Sequence, residues 1–293
     1  MKYVRSPLFS FQILVQVLMI ALFLFLTPGE SAQAVAAGIM LCTIGIPHGA
    51  NDYLYRKNTT SSGLAVFTAA YLGVMGLYLG LWLLSPAAAL VVFFAVSFHH
   101  FGQSNFENNT VRHIPSLLWG LWITVFPVLL HFQEATSIFA DMLRLDDDSG
   151  IVLPTAVKWA AAAIIGGAYI AALFRYERSE RARYLLQFAL VTLWYLATPL
   201  LFGFITVFCL WHALQSLQHQ LHSYKASSGG TSSDFFKALL PFGIAAVSGF
   251  AAFLYFRGVV IGEAFILLSL ITLPHVVVMH RLYRAADRKA VMD

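Results

Sequence analysis

AAALVVFFAVSFHHFGQSNF, residues 87–106, decides how this chain is read. The run contains no Asp, Glu, Lys or Arg, and it has the length of about 20 residues that one helix needs to cross the hydrocarbon of a bilayer. Its end nevertheless carries His99, His100, Gln103, Ser104 and Asn105. Polar groups in a membrane helix are costly and turn inward, toward each other or toward a cavity. The stretch therefore predicts both a membrane span and a polar site at one end of it.

The rest of the chain repeats the pattern. Of 293 residues 59% are hydrophobic and only 11% charged, with a mean hydropathy of +0.74, far from the balance of a soluble domain. Apolar runs occupy 9–27, 33–55, 64–84, 87–106, 115–132, 154–174, 183–200, 202–222, 236–256 and 259–283. The expected fold is all-α, a polytopic membrane bundle of about ten transmembrane helices forming one integral-membrane domain over 1–293. Polar segments at 134–153, where Ile138, Met142 and Leu145 suggest an interfacial turn, and at 223–234 read as connections.

With both termini in the cytoplasm, Lys2, Arg5, Arg56, Lys57, Arg112, Arg175, Arg178, Arg181, Arg183, Lys225, Lys237, Arg281, Arg284, Arg288 and Lys289 fall inside. Arg144, Lys158, Arg257 and the acidic run Asp146, Asp147 and Asp148 fall outside. This is the positive-inside pattern of a polytopic membrane protein. The net charge of +4 belongs to that collar and implies no nucleic-acid partner. Lys2, Arg5 and Ala32-Gln33-Ala34 imitate a signal peptide, but the run is long for one and the alternation works with the first helix retained. Cys42 and Cys209 lie within apolar runs and suggest no disulfide framework.

The histidines separate by depth. Segments two, four, eight and ten run in the same direction. His48, His100, His212 and His275 lie 7, 6, 10 and 8 residues from their inner ends, a spread of roughly 6 Å at 1.5 Å per residue. Four imidazoles at one level predict a shared metal site, with these residues as ligands and catalytic centre. His99 points about 100° away from His100, and His219 lies seven residues beyond His212, roughly 10 Å along the same helical face, so both rank as fallbacks. His113, His131, His222 and His280 fall at loops or boundaries.

Flanking residues add expectations. Gly45-Ile46-Pro47-His48-Gly49-Ala50-Asn51-Asp52 and Leu273-Pro274-His275 each put a proline before a ligand candidate, so both helices should bend there, opening a lateral entrance from lipid at which Gly49 and Thr272 would sit. Asp52, one turn beyond His48, is expected either to accept an imidazole N–H or to pair with Arg56. Gln103, Asn105 and Gln215 are expected to support the ligands by hydrogen bonds. Phe98, Phe101, Phe106, Phe208 and Trp211, nearest the histidines in sequence, are the expected lining of an apolar substrate site.

Pro47-His48-Gly49-Ala50 with Asp52, His100-Phe101-Gly102, Trp211-His212 and Pro274-His275, in this order, resemble the Brp/Blh family of membrane-embedded bacterial β-carotene 15,15′-dioxygenases. The resemblance implies an Fe(II) centre held by histidines and cleavage of a carotenoid by O2 at its central double bond to give retinal, which a retinal-binding opsin would accept. Tyr53 stands where many members have a further histidine, and Ser216 where many complete an H-x-x-x-H pair. His275 is then the expected fourth ligand.

Four neutral imidazoles suit several metals, and an octahedral iron would keep positions open for dioxygen. A membrane desaturase would call for many histidines in H-x-x-H type clusters, whereas the chain has that spacing once, at His219 and His222. The alternatives are a haem-binding electron carrier, or a transporter relaying protons through His48, Asp52 and Glu263.

Overall fold

The computed structural model describes residues 7–55, 61–106, 113–145, 152–258 and 260–292. Every regular element among them is helical. In chain order these are α1 (Pro7–Leu26), α2 (Glu30–Met40), a π-helical turn (Leu41–Gly45), α3 (Pro47–Ala50), a 3₁₀ turn (Asp52–Tyr55), α4 (Ser61–Leu84), α5 (Pro86–Phe106), α6 (Ile114–Leu130), α7 (Phe132–Leu143), α8 (Thr155–Tyr176), α9 (Arg181–Ala197), α10 (Leu200–Val207), a second π-helical turn (Phe208–Ala213), α11 (Leu214–Ser228), α12 (Ser232–Arg257) and α13 (Ile261–Met292).

Each of the ten apolar runs contains a helix. Eight among the described residues are long and apolar enough to span a membrane, or nine if α6 and α7, bent by 103° where they meet, form one broken span. α9 has 17 residues, short of the usual span length of about 20. Within 134–153, where the near-helical spacing of Ile138, Met142 and Leu145 suggests an interfacial turn, the chain forms helix α7 as far as Leu143; Ile138 and Met142 are buried and Leu145 beyond it is exposed. Asp146, Asp147 and Asp148 lie outside the described residues. Neither cysteine forms a disulfide among the described residues; Cys209 is buried and Cys42 exposed. Large apolar side chains such as Leu77, Leu84, Phe25 and Phe256 stand on the surface, as they do on helices that face lipid.

The chain packs as two compact units: Met1–Leu41 with Ser97–Thr136 and Gly150–Gln215, and Cys42–Val96 with Ser137–Ser149 and Ser216–Asp293. The first is aromatic at its centre. Trp122 stacks on Phe126 with ring centres 4.3 Å apart, and Tyr195 gives its hydroxyl to the Ile123 carbonyl at 2.8 Å. Helix α1 belongs to this unit, and its Gln12 and Gln16 are fully buried. In the second unit, Trp82 on α4 donates to Ser269 on α13 at 3.0 Å. Tyr78 closes the α4–α5 turn by donating to Ala89 at 2.8 Å. Helix α12 opens with a capping box between Thr231 and Asp234, which satisfies amide groups that a helix start leaves open.

Candidate metal centre

In the second unit the site is built from an interrupted helix and a continuous one. The wide turn Leu41–Gly45 ends just before Pro47, whose ring has no N–H to donate to the helical ladder. The helix resumes for one turn, stops at Asn51 (φ −103°, ψ 17°) and tightens into the 3₁₀ turn that begins with Asp52. His48 Nδ1 returns to the carbonyl of Gly45. The bend expected at Pro47 is thus a complete change of helical register. Pro274 lies inside helix α13, which continues through it.

Asp52 was expected beside His48 or Arg56. Its carboxylate instead takes His275: Asp52 Oδ1 lies 2.8 Å from His275 Nδ1, and both side chains are buried. The 3₁₀ turn moves Asp52 off the face one α-helical turn below His48, so it points to α13. Arg56 lies outside the described residues. Tyr71 from α4 donates to Asp52 Oδ2 at 3.2 Å and lies 3.3 Å from the Ile271 carbonyl. The rings of His48 and His275 meet nearly edge to face, with centres 5.0 Å apart. Gln220 holds the backbone here, donating to the His48 carbonyl at 2.8 Å and accepting from Asn51 at 3.1 Å. Gly49 faces the His275 ring, so that a Cβ there would lie 3.8 Å from it. The position expected to border a lipid entrance therefore borders a candidate ligand.

In the first unit the pair is His100 and His212, with ring centres 4.6 Å apart. His212 sits in the second π-helical turn, where the Leu214 amide reaches back to the carbonyl of Cys209. Ser104 Oγ lies 3.0 Å from the Phe101 carbonyl oxygen, to which it can donate, and 2.9 Å from His212 Nδ1. Phe101 and Phe208 pack on His212 at 4.6 and 5.4 Å. His100 is positioned by a close helix crossing. A Cβ on Gly102 would fall 1.9 Å from the Ser116 carbonyl oxygen, and one on Gly120 would fall 1.9 Å from that of Phe98. Only glycine lets the two backbones approach this far.

The remaining candidates divide between support and packing. Asn105 Oδ1 accepts from Gln187 at 2.8 Å and from Gln215 at 3.0 Å, and Asn105 returns a donor to Gln187 at 3.3 Å. All three are buried, as is Gln103. Gln187 was missed by the sequence reading. Its signal was a lone amide in an otherwise apolar stretch of α9. Phe106 stacks on Tyr184 at 4.5 Å, and the Trp211 indole donates to Gln16 at 3.0 Å. His219 Nδ1 meets the Tyr283 hydroxyl at 2.8 Å, and His99 is half-buried beside His100. His113 pairs with Glu177 at 3.0 Å, and His131 lies 3.3 Å from the Tyr195 carbonyl at the end of α6. Glu263 pairs with Arg257 at an exposed helix end.

His48, His212 and His275 share one arrangement, in which Nδ1 is engaged by an oxygen of the protein. A histidine that hands its Nδ1 proton to an oxygen presents the Nε2 lone pair, which is how metal-binding imidazoles are usually held. With metal–nitrogen bonds near 2 Å, two imidazoles on neighbouring positions of one ion have ring centres roughly 4.5–5 Å apart. The pairs at 4.6 and 5.0 Å fit that spacing. Among the described residues no three His, Cys, Asp or Glu side chains form a metal-binding group, so the histidines stand as two pairs.

The profile of a family described as Beta-carotene 15,15'-dioxygenase matches residues 39–283. The chain belongs to this family. Membership of the β-carotene 15,15'-dioxygenase family covers both histidine pairs and Asp52, and leaves α1 outside the matched stretch. The Beta-carotene 15,15'-dioxygenase of uncultured marine bacterium 66A03 is 28% identical over 183 residues, 58% of this chain and 63% of that protein. The Probable beta-carotene 15,15'-dioxygenase Blh of Halobacterium salinarum is 25% identical over 292 residues, 85% of this chain and 83% of that protein. The chain thus spans less than two thirds of the marine relative's length. No solved structure matches.

Proposed function

We propose that this protein is an iron-dependent dioxygenase of the bacterial inner membrane that cleaves β-carotene or a related carotenoid at its central double bond. His48, His100, His212 and His275 are assigned as the iron ligands, and retinal as the product. One observation carries the reading: within a chain of this family, two buried histidine pairs have the ring spacing of neighbouring metal ligands. Iron would supply the redox capacity that dioxygen chemistry needs and that zinc lacks.

The chain's own residues do the holding. Asp52 and Ser104 keep His275 and His212 in one tautomer and orientation, and Gly45 does the same for His48. Phe101 and Phe208 present apolar faces beside His212, the surface a polyene without charged groups requires. Their proximity to the histidines favours them over Phe106 and Trp211, whose rings serve Tyr184 and Gln16. Phe98 contributes its backbone to the Gly120 crossing.

Two other readings are less well served. Ring centres of 4.6 and 5.0 Å leave no room for a porphyrin between the members of either pair. A proton relay through Glu263 meets a carboxylate already paired with Arg257. Expression in carotenoid-accumulating bacteria tests the proposal: the cells should lose colour and accumulate retinal. Unchanged pigment with protein present in the membrane would reject it.

A further inference from the structure

Helix α1 lies outside the family-matched residues, yet it carries two fully buried glutamines aimed at the turn that presents His212. In a regular α-helix the Leu214 amide would bond the carbonyl of Leu210, four residues back. Here it reaches five back, to Cys209. The carbonyl it passes over, that of Leu210, accepts from the side-chain amide of Gln12. One helical turn further along α1, Gln16 accepts the indole N–H of Trp211 at 3.0 Å, and Phe9 packs its ring edge-on against the same indole at 5.8 Å. In a bilayer no water can satisfy backbone groups displaced from a helical ladder, so a side chain must do so. π-helical turns of this kind cluster where a side chain has to be re-aimed for function.

We propose that Gln12 and Gln16 are positioning residues: they hold the Phe208–Ala213 turn in its π-helical register and thereby aim His212. The inference rests on the reading of His212 as a metal ligand. Without the Gln12 amide the turn relaxes toward α-helical register, with Leu214 bonding Leu210. His212 then rotates by a fraction of a turn away from His100 and Ser104.

The test uses the full chain, purified in detergent and stripped of metal. Co(II) alone is titrated and read by its ligand-field absorption, with helix content and melting temperature measured in parallel. Gln12→Met keeps side-chain length and removes the donor. It should weaken Co(II) binding by about 10–100-fold, as loss of a group that orients a ligand does, and change the absorption bands at near-native helix content. Gln16→Met should act in the same direction with a smaller effect, and decides the matter if Gln12→Met does not yield monodisperse protein. His212→Ala is the reference. Native Co(II) affinity and bands in the glutamine variants, with binding lost in His212→Ala, would overturn the positioning role. Native binding in His212→Ala itself would overturn the ligand assignment on which it rests.

Discussion

Asp52 and His275, 223 positions apart in the sequence, meet through a 2.8 Å contact between Oδ1 and Nδ1. The carboxylate also accepts from Tyr71, so both of its oxygens are committed. Removing the charge while keeping the shape should leave iron bound but misaligned. Asp52→Asn is expected to lower turnover by about 10–100-fold with iron content near native, measured by elemental analysis and product formation. Tyr71→Phe removes one hydrogen bond, worth about 0.5–1.5 kcal/mol, and should have the smaller effect. Wild-type turnover in Asp52→Asn would contradict the orienting role.

Single substitutions of His48, His100, His212 or His275 by Ala should reduce bound iron and activity together, because a site of imidazoles has no charged ligand to compensate. His113→Ala and His131→Ala, which remove a pairing with Glu177 and a contact at the end of α6, should leave iron content unchanged. Full iron occupancy in any of the first four variants would remove that residue from the ligand set.

Gly102→Ala should be far more damaging than its size suggests. The new Cβ would stand 1.9 Å from the Ser116 carbonyl oxygen, and backbone cannot yield as a side-chain tip can. The helices must separate, at a cost of about 1–3 kcal/mol or more, and His100 moves with them. Gly167→Ala, with nothing within 4 Å of the added carbon, is the control. Thermal melting in detergent distinguishes them, and equal melting temperatures would contradict the close crossing.

Gly49 gives a graded test. Ala should be tolerated, since a Cβ 3.8 Å from the His275 ring makes an ordinary contact. Leu should displace that ring and lower metal affinity. Native metal binding in Gly49→Leu would show that the ring has room to move.

Hydropathy exposed the helices because a bilayer demands long apolar runs, and each of the ten runs does hold a helix. Depth along those runs singled out His48, His100, His212 and His275, which the structure gathers as two pairs. The registers at Leu41–Gly45 and Phe208–Ala213 were not legible, since a π-helical turn differs from an α-helical one by a single hydrogen-bond step with no compositional mark. The partner of Asp52 was hidden for a related reason. Reading it one α-helical turn below His48 assumed a regular helix, whereas the break at Asn51 sends it to α13. Gln12, Gln16 and Gln187 were visible only as isolated amides in apolar helices, and their partners lie too far along the chain for spacing to find.

The most direct test of the whole account is product analysis of the purified protein, reconstituted with Fe(II) in detergent and given β-carotene and dioxygen. The account predicts retinal as the cleavage product, absent without iron and absent in His275→Ala. Longer apocarotenals from cleavage away from the centre, or retinal formed equally well by the His275→Ala variant, would contradict it.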